Sequence, residues 1–317
     1  MTAKRIDAEE LKQRLESTRC ALVVGHIKPD GDDVGSVLAL TEALRNRGVD
    51  ADILIADEVG EKFRFLPLAA EIRRELPDKE YDTLFFVDLS TKNRAGDIEW
   101  PNVPIVNIDH HVSNPGYADE LYLRPEAAAV GEMLTELFLA WQWTITPTMA
   151  QALYMAISTD CGFFKYANTT AQTLRMAAEL IERGAMPQLV ANRTEELPKA
   201  ALTVLPKVMD TLTFAEGNRM NYMVMDEEAM RHGRDYVDTY LDLARNIQGV
   251  ELILQFKYAE PQKTYVSFRS KDIVDVSALA AQFGGGGHMR AAGCTVYEDL
   301  DSTVAKVLPV AAKVLAE

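Results

Sequence analysis

Ala21-Leu22-Val23-Val24-Gly25 is a short apolar run that stops at His26, the pattern of a buried strand. Beyond Asp32 the pattern lengthens. Val34 to Leu40 and then Ala43-Leu44 recur at helical spacing until Gly48, behind a start rich in acids, which the positive end of a helix dipole favours. Ala51 to Ala56, Thr83 to Val87 and Ile105 to Ile108 are further short apolar runs, and the last two end at Asp88 and Asp109. Ala127 to Ala140, Pro147 to Ser158 and Thr170 to Arg183 read as three successive helices, closed by Gly184-Ala185-Met186-Pro187. Strands alternating with helices predict a mostly parallel sheet flanked by helices. Ligands of such sheets bind beyond the carboxyl ends of the strands, where these acids fall.

Asn192 to Leu212 reads as a helical connector whose regularity Pro198 and Pro206 limit. The texture then changes: Met220 to Met225, Val250 to Tyr258 and Thr264 to Ser270 look like strands, and Val276 to Phe283 and Thr303 to Leu315 like helices. The predicted organisation is an α/β domain over 1–190, a connector over 191–204 and a smaller C-terminal α/β domain over 205–317, with a cleft between the domains.

Composition narrows the class. At 48% hydrophobic and 26% charged, the chain is globular in character. It has no uncharged apolar run of the ~18 residues a membrane helix needs. Met1 to Gln13 lacks the apolar core of a signal peptide. Cys20, Cys161 and Cys294 are odd in number and widely spaced, which argues against a disulfide framework and for a reducing cytoplasm. The net charge is −15; 21 basic and 32 acidic residues precede Leu205, and 12 and 16 follow from there. Such a field repels a long nucleic-acid backbone, so the expected substrate is short and locally captured, with no long duplex and no membrane as partner.

The chemistry concentrates in His26-Ile27-Lys28-Pro29-Asp30-Gly31-Asp32 and Asp109-His110-His111. Imidazole nitrogen and carboxylate oxygen without thiolate is a ligand set suited to Mn, Fe, Co or Zn in an open hydrolytic centre. Pro29 and Gly31 bend the chain just past the strand, so that three ligands can aim into one pocket. Asp88 and Asp160 add isolated acids after apolar runs, where a buried carboxylate is otherwise costly. A single histidine after an apolar run is ordinarily structural, and Asp-Gly-Asp occurs in many turns; the order of all four motifs on one chain is what changes the reading.

That order resembles the DHH phosphoesterase superfamily, named for the triplet that stands here at Asp109, His110 and His111. The resemblance implies two divalent cations, usually manganese. His26, Asp30 and Asp88 would hold one; Asp32, Asp88, His110 and Asp160 would hold the other, with Asp88 bridging. Asp109 would orient its neighbours and His111 would face the substrate phosphate. Two such cations acidify a shared water and stabilise the phosphoryl oxygens, so in-line attack needs no serine or cysteine nucleophile. Asp33 and Cys161 depart from the family pattern: a small or apolar residue is common at the first position and threonine often stands at the second. Asp33 could cap the following helix, and Cys161 could pack.

Phe283-Gly284-Gly285-Gly286-Gly287-His288 resembles the glycine-rich motif of the DHH-associated C-terminal domain, where it holds substrate. Glycines there leave the backbone free to turn N–H groups toward an anion. Gly286, Gly287 and His288 are therefore candidate substrate contacts. Upstream, Ser267, Arg269 and Lys271 alternate with Val266 and Phe268, so Ser267 and Arg269 share a polar face. Arg269 could pair bidentately with a phosphate, with a solvated strand face as the alternative. Arg94 is a further candidate phosphate ligand, against a surface ion pair.

Among DHH enzymes the chain most resembles the bacterial nanoRNase and 3′-phosphoadenosine-5′-phosphate phosphatase branch. RecJ-type exonucleases carry additional domains, membrane-bound cyclic-di-AMP enzymes carry membrane segments, and family II pyrophosphatases lack the glycine-rich histidine motif. The resemblance implies hydrolysis of short RNA oligonucleotides, linear dinucleotides and nucleotide bisphosphates, and allows a homodimer. A cyclic-dinucleotide phosphodiesterase and a non-catalytic nucleotide-binding regulator are the alternatives; the second would be expected to lack a metal ligand, and the motifs keep all of them.

Overall fold

The computed structural model describes residues 3–197 and 199–316, and the chain divides into two compact units, Met1–Thr194 and Glu195–Glu317. The first runs β1 (Lys4–Arg5), α1 (Ala8–Ser17), β2 (Cys20–Val24), α2 (Gly31–Asn46), β3 (Asp50–Leu54), β4 (Thr83–Val87), β5 (Ile105–Asp109), β6 (Glu120–Leu123), α3 (Val130–Ala140), α4 (Pro147–Asp160), α5 (Ala171–Glu182) and α6 (Pro187–Glu195). Its strands form one parallel sheet in the order β1-β6-β5-β4-β2-β3. Strand alternation sorts the side chains. Val23, Phe85, Val87 and Ile108 enter a core with residues of α1 to α6. Leu22, Val24, Leu84 and Phe86 enter a smaller layer with Trp100, Val103 and Tyr117. Helices thus cover one face of the sheet, and irregular chain between β3 and β6 covers the other.

The N-terminal stretch, which shows only mixed polarity in the sequence, folds as α1. The Asp7 carboxylate accepts the Glu9 and Glu10 amides while the Glu10 side chain accepts the Asp7 amide, a capping box. β2 pairs with β3 on one side and β4 on the other, so the sheet changes its direction of growth between β2 and β4. This is the position at which open α/β sheets build their sites.

The second unit contains α7 (Lys199–Asp210), β7 (Thr213–Ala215), β8 (Met220–Met225), α8 (Glu227–Gly233), α9 (Val237–Arg245), β9 (Leu252–Glu260), β10 (Lys263–Ser270), α10 (Val276–Ala281), β11 (Gly286–His288), β12 (Ala291–Val296) and α11 (Leu300–Ala316). The expected connector is helical, as α6 and α7. Pro206 lies inside α7, whose Val204 and Val208 pack with residues of α8 and α9; Pro198 lies outside the described residues. The strand order is β11-β12-β10-β9-β8-β7, antiparallel except for β8 with β9. Residues of α10 and α11 pack on one face. The apolar layer with α7, α8 and α9 lies on the other and takes its sheet residues from β8 and β9.

The glycine run ends in an edge strand. β11 pairs with β12 through Gly286↔Gly293 and His288↔Ala291. Sterics explain the glycines: a Cβ at Gly285 would stand 2.2 Å from the Gly293 carbonyl oxygen, and one at Gly287 2.6 Å from that of Ala291.

In the first unit, α2 lies along α4 at Gly35, where a Cβ would meet the Ala152 carbonyl oxygen at 2.3 Å. At an open helical site, glycine to alanine gains about 1 kcal/mol of helix propensity. Here the sign should reverse: Gly35→Ala is expected to lose about 1–3 kcal/mol by overpacking. Urea denaturation checks this, and a stabilised variant would contradict the close approach.

Candidate functional site

Each strand end delivers one part of the site. His26 follows β2 in a bend, and Asp30 caps α2 by accepting the Asp33 amide through Oδ1. That leaves Asp30 Oδ2 3.6 Å from His26 Nε2. Asp88 is the first residue after β4 and has φ of 58°, with its amide bonded to the Ile108 carbonyl of β5. Asp109 ends β5, and Asp160 is the last residue of α4.

The structure brings these residues together around Asp88. Its Oδ2 lies 3.5 Å from His26 Nε2, and its Oδ1 lies 3.5 Å from His110 Nε2 and 3.4 Å from His111 Nδ1. His110 Nε2 is also 3.8 Å from Asp32 Oδ2 and 3.7 Å from Asp160 Oδ2. Within the first unit, three groups of described residues have ligand atoms within 4.8 Å of one another: His26, Asp30 and Asp88; Asp32, Asp88 and His110; Asp88, Asp109 and His111. All contain Asp88. Asp160 joins through His110.

The donors fit divalent cations. Separations of 3.5–3.8 Å among the candidate ligands are too long for good hydrogen bonds. They are close to the spacing of two donors that each sit about 2.1 Å from one ion. His26 Nε2 and Asp88 Oδ1 are buried with no hydrogen-bond partner, although buried polar atoms are rarely left so. Electrostatics agrees. Burial, reinforced by Asp88, pushes the Asp32 carboxyl well above the usual carboxylate range. Burial also pushes Asp160 up to about 7, with His110 opposing and Asp30 and Asp88 adding. Burial alone would lower His110, but Asp160, Asp88 and Asp32 hold it at about 10. A dication is the counter-charge that relieves such crowding.

The ring nitrogens not aimed at these acids are tied down. Nδ1 of His26 lies 2.8 Å from the Ile27 carbonyl and Nδ1 of His110 3.1 Å from that of Ala127. Both rings therefore present Nε2 to the carboxylates. His111 differs, because its Nδ1 meets Asp109 Oδ1 at 2.8 Å. Burial works against the Asp109 carboxylate, yet His111 and the Asn114 amide bring it down to about 2. Arg94 Nη2 reaches His26 Nδ1 at 3.0 Å, which puts this guanidinium at the first ligand group.

Several supporting groups escape the motif reading. Asp32 accepts the amides of Val130 and Gly131 at 2.7 and 2.9 Å and the Ser36 hydroxyl at 2.9 Å. Asn114 donates to Asp109 Oδ2 at 2.5 Å; its signal in the sequence is an amide three residues beyond the triplet. Asn168 donates to the carbonyls of Ala128 and Asp160. Glu132 accepts the Ala128 amide and the Thr173 hydroxyl.

In the second unit, Ser267 and Arg269 of β10 share one face by alternation, and the register carries that face across Gly293 and Ala291 to Gly286 and His288. Nothing stands within 4 Å of a Cβ built on Gly286, whereas Gly287 is crowded. Arg269 Nη2 pairs with Asp238 of α9 at 3.0 Å. Lys257 of β9, absent from the motif reading, donates to Ser267 Oγ at 2.5 Å.

Among the described residues no helix is long and apolar enough to cross a membrane. Residues 21–157 match the N-terminal domain model of the DHH family, and residues 231–317 match the DHHA1 domain. The chain is 31% identical over 292 residues to the bifunctional oligoribonuclease and PAP phosphatase NrnA of Thermus thermophilus, covering 90% of this chain and 87% of that protein. It is 27% identical over 278 residues to the Bacillus subtilis protein of the same name, covering 86% and 88%. In fold it is similar to an exopolyphosphatase-related protein from Bacteroides fragilis, with a TM-score of 0.83 at 19% identity over 96% of this chain and 95% of that one. The chain belongs to the DHH phosphoesterase family, with a DHHA1 domain following its DHH domain.

Proposed function

We propose that this protein hydrolyses short oligoribonucleotides, linear dinucleotides included, to mononucleotides, and 3′-phosphoadenosine-5′-phosphate to AMP, using two divalent cations, Mn2+. The observation that carries the reading is the sharing of Asp88 among three ligand groups. The relatives named oligoribonuclease and PAP phosphatase support the substrate class. In this reading His26, Asp30 and Asp88 hold one cation, and Asp32, Asp88, His110 and Asp160 the other. When bound, the cations supply positive charge against the phosphoryl oxygens and acidify water.

The chain's own residues do the rest. Asp109 holds His111 through Nδ1 and leaves Nε2 to face a phosphoryl oxygen, with Asn114 fixing Asp109 from its other oxygen. Arg94 supplies a second positive group near His26. On the second unit, Ser267, Arg269 and His288, beside the open Gly286 and the adjacent Gly287, anchor the substrate away from the reacting phosphorus. Cys20, Cys161 and Cys294 are free, which supports a reducing compartment, the cytoplasm.

A 5′-labelled RNA tetranucleotide incubated with Mn2+ is expected to shorten stepwise to mononucleotide and to stop on chelation, with products resolved by length. An intact tetranucleotide alongside turnover of cyclic dinucleotides would replace the proposed substrate class. Asp88→Ala should reduce turnover to that of the chelated enzyme, because it removes the shared ligand; retained activity would refute the bridging role. Arg269→Ala should raise KM with kcat largely kept, as steady-state kinetics on the tetranucleotide would read; a collapsed kcat at unchanged KM would contradict an anchoring role.

A further inference from the structure

Asp33 is a buried acid that the proposed ligand sets do not use. Its side chain is fully buried in the first turn of α2. It is not the cap of that helix, since Asp30 fills the role by accepting the Asp33 amide at 3.0 Å. Instead Asp33 Oδ1 accepts the backbone N–H of His26 at 2.9 Å, so one residue ties both ends of the His26–Asp30 bend. Its Oδ2 is buried with no hydrogen-bond partner. Gly25 makes room for it: a Cβ there would stand 2.3 Å from Asp33 Oδ1. The side chain therefore fits its place sterically, and the basic group that opposes its burial there is the His26 imidazole, itself a candidate cation ligand. No Lys or Arg pairs with it among the described residues, and a buried carboxylate without compensation is costly. A dication on His26, Asp30 and Asp88 would supply that compensation.

We propose that Asp33 is a positioning residue whose carboxylate charge, seated against the His26–Asp30 bend, strengthens retention of the cation held by His26, Asp30 and Asp88. The inference rests on the metal-centre reading above. The proposed contribution is electrostatic, and the substitution that isolates it is Asp33→Asn, which keeps the shape and an oxygen for the His26 amide while removing the charge.

Mn2+ affinity of the full chain, measured by titration calorimetry and by the electron paramagnetic resonance signal of free Mn2+, is the test. Asp33→Asn should weaken one of the bound Mn2+ ions by about tenfold, the scale on which groups supporting metal ligands act, and should shrink the rise in Tm on adding Mn2+. A purely structural clamp predicts the opposite pattern: Asp33→Asn binding as tightly as the parent, with only Asp33→Ala weakened. That result would overturn the proposal. If Asp33→Asn fails to fold, Asp33→Ala, which carries a small residue at that position, is titrated instead; parent-like affinity would again overturn it. Asp88→Asn separates the two levels. If it too binds Mn2+ as the parent does, the metal-centre reading has failed; if it alone loses binding, only the role of Asp33 has.

Discussion

Asp88 leaves β4 in a left-handed conformation that costs a non-glycine residue about 1–3 kcal/mol. A buried carboxylate in that conformation persists only where its surroundings over-determine it. The bond from its amide to Ile108 fixes the backbone to the neighbouring strand, and three imidazoles stand 3.4–3.5 Å from its oxygens. Strain, burial and a place in each candidate ligand group of the first unit meet in one residue at the point where the sheet changes direction. The other ligand candidates are arranged relative to it: His26 from β2, the triplet from β5, Asp32 and Asp160 from two helices that run side by side.

The second half of the centre is also a folding device. Ala129, which precedes helix α3, offers no side-chain cap, and the amides of Val130 and Gly131 are taken by Asp32, 98 and 99 residues earlier. An anion at a helix N-terminus is stabilised by the orphan N–H groups and by the dipole together. Asp32 is thus oriented by α3 while it caps α3, and α2 can reach that point because Gly35 lets it close on α4. Charge, cap and packing are one arrangement, so a substitution at Asp32 acts on the fold and the centre at once.

What the sequence discloses follows the range of the interaction. The strands ending at His26, Asp88 and Asp109 are legible because burial on both faces writes a continuous apolar run. The ligand candidates are legible because short motifs carry their own geometry. The N-terminal helix is written too, in the Asp7 and Glu10 capping box, but in polar residues that an apolar pattern passes over. Asp32 as cap of α3, Lys257 on Ser267 and the seating of Asp33 under His26 are tertiary facts, and no local rule encodes them. The glycine run is intermediate. Its composition signals an unusual backbone, yet only the register with β12 shows that Gly285 and Gly287 answer a steric demand while Gly286 is left open.

The charge distribution then gains a physical sense. A first part richer in acids than in bases is a poor surface for an anionic substrate taken as a whole. Within it, however, His26, Asp32, Asp88, Asp109 and His110 are almost wholly buried, so much of their field is spent on what lies between them rather than on solvent. Two dications there would bring about four positive charges to the one place a phosphoryl group must approach. The second unit contributes Lys257, Arg269 and His288 on or beside one sheet face, which suits a single phosphate or a short chain and not a long one. In the proposed function, repulsion by the outer surface and attraction at these two places would select in the same direction, toward small anionic substrates.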